Sequence, residues 1–375
     1  MVKKFICGLL IGIMIVSVLT GCSNGGKKAS NNDGDKSTPV SQTETSTNDS
    51  AKTEENTTGN QTGTIQAGKW KIGFNYYNGS SYALTTLRDN SKHVVDAFGG
   101  TSLAIDDERS VEKIIQDLEN MISSGCDGLL VWAPADNLYP AISELCENAK
   151  IPFVLNDKIP SDPEVLAQLK ANPYCVGAIG PDNAAYGIAV AQYALDNGYK
   201  TCIIASGDIA DPTDAPRIAA FKEIFTSNGG TILEELHSSN ADESQNQLEN
   251  AFIVNPNPDF IYATGPDYCN AATNALGGKG YKTVILTSGL DTNTLDRLVD
   301  PENPVCMTVG DYWICGMFSA IIMQNYLDGT PLLQEDGKPI WYDKVAPFPV
   351  SDKAYDLYKK FFIEQFAYTP DEIRQ

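Results

Sequence analysis

Histidine is almost absent from this sequence. The 375 residues include only His93 and His237, and no two of the nine cysteines form a C-x-x-C pair. A Ser-His-Asp hydrolase needs a histidine in its site, and a His-rich zinc site needs several. Both classes are therefore disfavoured, and we expect neither a metal nor another cofactor.

Basic residues are also scarce. Lysine and arginine together number 27 against 48 acidic residues, which gives a formal net charge of −21. Binding to nucleic acid requires clustered basic side chains against the phosphates, so this class is disfavoured. Residues 1–68 contain six basic and six acidic side chains, so the acidic excess lies in residues 69–375. There it serves mainly the solubility of the surface.

The apolar segment near the N-terminus is too short for an ordinary membrane span. It runs from Phe5 to Leu19 behind two lysines, whereas a hydrocarbon core of about 30 Å needs ~20 residues. The next residues, Thr20-Gly21-Cys22, complete a bacterial lipobox pattern. Residues 1–22 are therefore predicted to be a lipoprotein signal peptide. Lipid on Cys22 would anchor the chain to the outer face of the bacterial cell membrane; a plain transmembrane anchor is the alternative.

Residues 23–68 contain almost no large apolar side chain. Serine, threonine, asparagine, glycine and glutamine dominate this segment, with scattered charges. Such a composition cannot bury enough surface to offset the entropy of ordering. We expect a disordered tether between the lipid anchor and a folded body.

Seven cysteines fall in the body, and an odd number argues against a framework of disulfides. Most of them lie inside apolar runs, such as Thr201-Cys202-Ile203-Ile204. A body of this size does not depend on disulfides for its stability. We expect buried free thiols that pack as small apolar side chains.

From Lys69 onward, short apolar runs alternate with helical patterns. In one helix, apolar residues recur at the 3, 4 and 7 spacing of a single face from Val111 to Ile122, and Gly125 ends it. A buried strand, Gly128 to Trp132, follows. Repeated βα units predict parallel sheets with helices on both faces. Roughly ten strands favour two doubly wound lobes, with a single (β/α)₈ barrel as the alternative.

Three segments resemble one known family. They are Gln116–Ile122, Gly125–Val131 with Pro134-Ala135-Asp136, and Pro216–Phe221. The chain resembles the ribose/galactose type of periplasmic binding protein, which shares its core with LacI-type repressors. The resemblance covers about Trp70 to Phe362. The lipobox and the lack of an N-terminal helix-turn-helix exclude the repressor branch.

The resemblance implies two doubly wound lobes joined by a hinge of three crossing strands. The N-terminal lobe would comprise 69–180 plus 312–342, and the C-terminal lobe 181–311 plus 343–375. It also implies capture of a small polar solute, most simply a monosaccharide, by hinge closure, with an ABC permease as partner. The protein is expected to be a monomer.

The family also indicates where a ligand would bind. In such sites aromatic faces cover sugar C–H groups, while carboxylates, amides and guanidinium groups bind the hydroxyls. The positions that match the family's site, or that follow a strand beside it, are Asn78, Tyr82, Trp132, Asn156, Asp157, Arg217, Asp267, Asp291 and Asp311.

Several of these positions also have a purely structural interpretation. Tyr82 and Trp132 would equally pack a loop or a core, Arg217 would equally pair at a helix start, and the charge of Asp267 would favour a helix N-terminus. The sequence also departs from the family. Asp157 is followed by lysine where the relatives carry Asp-Arg, and Gly265 stands where they carry an amide.

These departures leave other functions open. A nucleoside, an autoinducer-like sugar derivative or a cationic solute would also suit an acidic cleft. A sensor kinase is an alternative partner to the permease. Paired carboxylates in a cleft are also the machinery of glycosidases, although we expect binding without catalysis.

Overall fold

The computed structural model describes residues 69–209, 211–310 and 312–374. The predicted signal peptide, its lipidated Cys22 and the predicted tether lie outside the described residues, as does Asp311. The fold is therefore that of the body.

The described residues form twelve strands in two open sheets. The strands are β1 (Lys71–Tyr76), β2 (Thr101–Asp106), β3 (Gly128–Val131), β4 (Phe153–Asn156), β5 (Cys175–Pro181), β6 (Thr201–Ser206), β7 (Thr231–His237), β8 (Phe260–Ala263), β9 (Val284–Thr287), β10 (Val305–Gly310), β11 (Ile340–Val345) and β12 (Phe348–Ser351). The first sheet has the order β11-β5-β4-β3-β1-β2 and the second β12-β10-β9-β8-β6-β7. Among the strands of the described residues, every pairing is parallel except that of β10 with β12. Two open sheets confirm the doubly wound prediction and rule out the (β/α)₈ barrel.

Helices connect these strands. They are α1 (Tyr82–Ala97), α2 (Val111–Ser123), α3 (Tyr139–Ala149), α4 (Pro163–Ala171), α5 (Asn183–Asp196), α6 (Asp214–Ser227), α7 (Ala241–Val254), α8 (Pro266–Leu276), α9 (Thr292–Arg297), α10 (Tyr312–Leu327), α11 (Tyr355–Tyr358) and α12 (Pro370–Ile373). Many begin at a capping side chain that accepts a backbone N–H, such as Ser81, Ser110 and Asp182. Among the described residues, no helix is both long enough and apolar enough to cross a bilayer.

Both faces of the first sheet are covered. Leu130 of β3 belongs to an apolar cluster with residues of α1 and α10, whereas its neighbours Leu129 and Val131 belong to a cluster with residues of α2 and α3. Successive side chains of a strand point to opposite faces, so burial of all three requires helices on both sides. This is why β3 is apolar at every position.

The seven body cysteines, all of them described, form no disulfide with one another. Six are buried and Cys306 is partly exposed. Burial raises the pKa of the Cys146 and Cys175 thiols to about 12. The expectation of buried thiols without disulfides is confirmed for six of the seven.

The chain passes between the sheets three times, after β5, after β10 and between β11 and β12. The division of the body into two lobes stays a prediction, but the last residues depart from it. The prediction placed all of 343–375 in the second lobe. In the structure the Phe366 ring stacks on His93 of α1, with 3.8 Å between ring centroids. Arg374 also donates to the carbonyl of Ala97, which ends α1.

Helices α5 and α6 approach very closely at Gly187. A Cβ atom built on this glycine would lie 1.9 Å from the carbonyl oxygen of Arg217. Real side chains cannot tolerate that distance, so the packing of the two helices requires glycine here.

We predict that Gly187→Ala destabilises the protein by about 1–3 kcal/mol, because the added methyl group must push α6 away. Urea denaturation measures the loss. Gly277→Ala is the matched control, since its nearest atom lies 3.4 Å away; its effect should stay within about 0.5 kcal/mol. Equal losses in the two variants would contradict the close-packing account.

Candidate functional site

A cleft of about 960 Å³ opens at the carboxyl ends of strands from both sheets. Ligands of doubly wound proteins bind in this region, where the strand order reverses and neighbouring connections diverge. In the first sheet the reversal lies between β1 and β3, and in the second between β6 and β8. Residues on the cleft wall include Trp132, Asp157, Lys158, Asp182, Asn183, Asp214, Arg217, Thr264, Tyr268 and Trp341.

Trp132 follows β3 and presents a half-buried indole ring to the cleft. Its ring stacks on Tyr77 at 5.6 Å between centroids. The Lys158 ammonium lies 5.6 Å from the centroid of the Trp132 ring. A second pair, Lys170 over Trp341 at 5.0 Å, lies on the same wall. Aromatic faces are thus available to an apolar patch of a ligand when the lysines move aside.

Asp157 follows β4 in a left-handed backbone conformation, with φ of 69°. Residues other than glycine seldom adopt this region, although aspartate tolerates it better than most. Burial raises the pKa of the Asp157 carboxyl. The neighbouring Cys315 and Trp132 side chains and the charges of Lys158 and Arg217 oppose that rise. A half-buried carboxylate that is held in a strained backbone conformation on a cleft wall is typical of a ligand-binding position.

Arg217 lies at the base of the cleft on the side formed by the second sheet, and it is only 6% exposed. Its Nη1 donates to the carbonyl oxygens of Thr264 at 3.2 Å and Ser288 at 3.0 Å. Its Nε and Nη2 both donate to Asn183 Oδ1, at 3.2 and 3.1 Å. The guanidinium also lies 4.1 Å from the ring centroid of Tyr186. Arg217 therefore holds the ends of β8 and β9 to the start of α5.

Asp214 lies one helical turn before Arg217 on the same face of α6. Its Oδ2 accepts from Thr264 Oγ1 at 2.7 Å and from the Gly207 N–H at 3.4 Å. Burial raises the pKa of the Asp214 carboxyl, and the Arg217 charge opposes this rise. The second side of the cleft thus carries a fixed carboxyl group supported by an arginine.

Three of the predicted ligand residues, Trp132, Asp157 and Arg217, meet at this cleft. Ligand contact by them stays a prediction. Asp311, also predicted, lies outside the described residues.

The other predicted residues do not line the cleft. Asn156 is 2% exposed and accepts from Ser319 Oγ at 2.8 Å, which makes it a buried link between β4 and α10. Asn78 caps its own turn by accepting from the N–H and hydroxyl of Ser80. Tyr82 packs against the apolar cluster of the second sheet.

The remaining two aspartates serve helix starts. Asp267 is exposed in the first turn of α8, where a negative charge favours the helix dipole. Asp291 caps α9, with the Thr294 N–H donating to its Oδ1 at 2.6 Å. Both side chains therefore serve the start of a helix. The sequence analysis already allowed this interpretation for Asp267.

The sequence did not single out Asn183, Asp214 or Trp341 as ligand residues. For Asp214 a signal was present, because a position three residues before Arg217 shares its helix face. Trp341 lies on β11, and its approach to the cleft depends on a parallel pairing with β5 that no local pattern specifies. In the described part of the chain, no cluster of three or more His, Cys, Asp or Glu side chains is arranged to hold a metal ion.

The bonds of Arg217 predict a structural cost for its removal. Arg217→Ala leaves the Thr264 and Ser288 carbonyls without this donor, and we expect a loss of about 1–3 kcal/mol in the free energy of unfolding. Lysine should not restore it, because an ammonium cannot reach three acceptors in the fork geometry of guanidinium. Urea denaturation measures both variants.

The control for Arg217 is Lys222→Ala on the same helix. Lys222 is half-exposed and pairs with Glu235 at the surface, so its loss should cost less than about 1 kcal/mol. An Arg217→Ala protein as stable as the wild type would show that these bonds contribute nothing net.

The chain is similar to proteins of known class. The sequence model of the periplasmic binding protein domain family matches residues 72–329. The D-ribose/D-allose-binding protein of Pseudomonas aeruginosa is 27% identical over 218 residues, which are 55% of this chain and 66% of that protein. The aligned part is thus just under two thirds of that relative.

Solved structures show the same fold. A periplasmic ribose ABC transporter protein from Conexibacter woesei has a TM-score of 0.66 at 17% identity, covering 82% of this chain and 98% of its own. A periplasmic solute-binding protein of an ABC transporter from Actinobacillus succinogenes, with bound D-allose, has a TM-score of 0.64 at 17% identity, covering 77% of this chain and 100% of its own. With two parallel sheets, a cleft at their carboxyl ends and a family model that matches most of the body, the chain belongs to the periplasmic binding protein domain family.

Proposed function

We propose that this protein binds a small polar solute, most simply a monosaccharide, and delivers it to an ABC importer. The observation that carries the proposal is the cleft between the two sheets, which combines an indole face with half-buried carboxyl groups near the strand ends. The family and the sugar-binding relatives support it. Rotation of the two sheets about the three crossings would close the cleft on the solute.

Each wall supplies a different part of sugar recognition. The Trp132 ring offers a flat apolar surface for the C–H face of a pyranose or furanose. Asp157 and Asp214 offer charged acceptors for hydroxyl donors, and hydrogen bonds to charged groups are the strong ones. Closure would exclude water from these contacts and so strengthen them. Reversible capture of this kind involves no covalent chemistry, so we propose a binding protein that is not an enzyme.

The Asp157-Lys158 pair is compatible with a second class of solute. A lysine replaces the family's arginine there, and both residues lie on the cleft wall. A nucleoside, a sugar derivative or a cationic solute would use the same carboxylates. A sensor kinase would receive the same closed form as a permease.

The location is proposed from the N-terminal sequence. Lipid on Cys22, which precedes the tether of 23–68, would hold a monomeric body at the outer face of the bacterial cell membrane. A tether of this length lets the body reach a permease in the same membrane.

We predict that at least one neutral monosaccharide raises the melting temperature and that Asp157→Asn weakens this effect. A ligand at 100 times its Kd adds about 2.7 kcal/mol of stability, which is several degrees for a body of this size. Loss of a charge-assisted hydrogen bond worth about 1.5–3 kcal/mol should weaken binding by roughly 10- to 100-fold. Differential scanning fluorimetry with D-ribose, D-allose, D-galactose and myo-inositol is the measurement.

The matched control for that experiment is Asp267→Asn, which removes an exposed carboxylate outside the cleft and should leave binding unchanged. Chromatography of the incubated sugars and of aryl glycosides tests for turnover. Hydrolysis of a glycoside that depends on Asp157 would replace the binding proposal with an enzymatic one, and stabilisation by cations alone would exclude the sugar.

We predict that Cys22→Ser releases the protein from membranes, because the thiol is the site of lipid attachment. Fractionation of cells followed by immunoblotting measures the distribution. Cys7→Ser, within the signal peptide, is the control and should leave it unchanged. Membrane association that persists in Cys22→Ser would favour the transmembrane-anchor alternative.

A further inference from the structure

The side chain of Asn75, on β1, continues the pairing with β3 by one residue past the end of β3. The backbones pair as far as Phe74 with Leu130. After that, Asn75 Oδ1 accepts from the Trp132 N–H at 3.0 Å, and Asn75 Nδ2 donates to the Trp132 carbonyl at 2.8 Å. The carboxamide thus takes the place of a peptide group. It fixes the backbone of Trp132 at the point where the strand order of the first sheet reverses.

Asp107 determines which way that carboxamide faces. Asp107 is fully buried after β2, and its Oδ2 accepts from Asn75 Nδ2 at 2.7 Å. A carboxylate accepts hydrogen bonds and cannot donate them, so the amide nitrogen of Asn75 must point toward it. The amide oxygen then points to the Trp132 N–H. Asp107 itself is fixed by its own backbone N–H, which donates to the carbonyl of Tyr76.

The Asp107 carboxyl lies close to the Asp117 carboxyl on α2. Two ionised carboxylates cannot donate to each other, so Asp107 Oδ1 and Asp117 Oδ2 are both buried without a donor. Burial raises the pKa of Asp107 to about 7, the Asn75 hydrogen bond opposes the rise, and the charges of Asp117 and Asp106 add to it.

A cation, the Lys113 ammonium on α2, lies near these acidic side chains. The negative charges of Asp117 and Asp106 help to raise its pKa, and it pairs with Glu108 at 2.7 Å. The two protonation states of Asp107 have different hydrogen bonds. Ionised Asp107 is a strong acceptor for Asn75, whereas protonated Asp107 is a weaker one and has an O–H to donate.

We propose that Asn75 and Asp107 are positioning residues that set the orientation of Trp132 in the cleft, and that protonation of Asp107 loosens this clamp. Neither residue lines the cleft, and both act through the Trp132 backbone. The proposal rests on the proposed function only in that a solute uses the Trp132 ring. The clamp itself is a property of the unliganded protein.

The test is therefore made without a solute, by NMR of protein labelled with ¹⁵N at the tryptophan indoles. The sequence has four tryptophans, and Trp132→Phe assigns the resonance of interest. We expect the Trp132 indole signal to move with pH, with its midpoint near the Asp107 pKa of about 7. Asp107→Asn keeps an acceptor of the same shape and should abolish this shift. Asn75→Ala should broaden or move the signal at every pH.

Two controls separate the clamp from its surroundings. Asp157→Asn should retain the pH-dependent shift, although Asp157 also lies near Trp132. Asp328→Asn should move the indole signal of Trp70, whose Nε1 donates to Asp328 at 2.7 Å, and leave that of Trp132 in place.

A Trp132 signal that is the same in the wild type, Asp107→Asn and Asn75→Ala at every pH would overturn the proposal. A pH-dependent shift that is lost in Asp157→Asn and kept in Asp107→Asn would also overturn it. Failure of every sugar to bind would leave these signals unaffected, so the two proposals fail separately.

Discussion

The wall of the cleft depends on one buried cation. The Arg217 guanidinium binds the carbonyls that follow β8 and β9 and the Asn183 side chain at the start of α5. It thereby joins the second sheet to the segment through which the chain leaves the first sheet. A buried arginine is stable only if its donors are satisfied, so these contacts fix where α6 lies and where its Asp214 carboxyl points. The close approach of α5 and α6 at Gly187 occurs beside these contacts, against the Arg217 carbonyl.

In both sheets a side chain bridges the two strand ends at the point where the strand order reverses. Where the strand order reverses, the ends of two neighbouring strands lose their backbone partners. In the first sheet the Asn75 carboxamide bridges the gap to Trp132. In the second sheet the Thr264 hydroxyl after β8 donates to Asp214 after β6. Each bridge places one cleft residue, an aromatic ring on one side and a carboxylate on the other. A sugar needs both kinds of surface.

The fold was predictable from sequence because it depends on local patterns. The apolar face of α2, the stop at Gly125 and the buried strand that follows are all visible within a few residues. The site was only partly predictable. Arg217 lies on the cleft wall and its contact with a ligand stays a prediction, but its partners come from β8, β9 and α5, which no spacing in the sequence brings together. Asp291 has the right residue type and follows a strand, yet it caps α9. Whether a polar side chain serves a helix start or a ligand depends on the direction in which it points.

The most direct measurement of the central claim is a crystal structure of the protein grown with the monosaccharide that stabilises it most. The account predicts the sugar between the two sheets, with one face against the Trp132 ring and hydroxyl groups on Asp157 and Asp214. A sugar bound elsewhere on the surface, with the cleft unoccupied, would contradict the account.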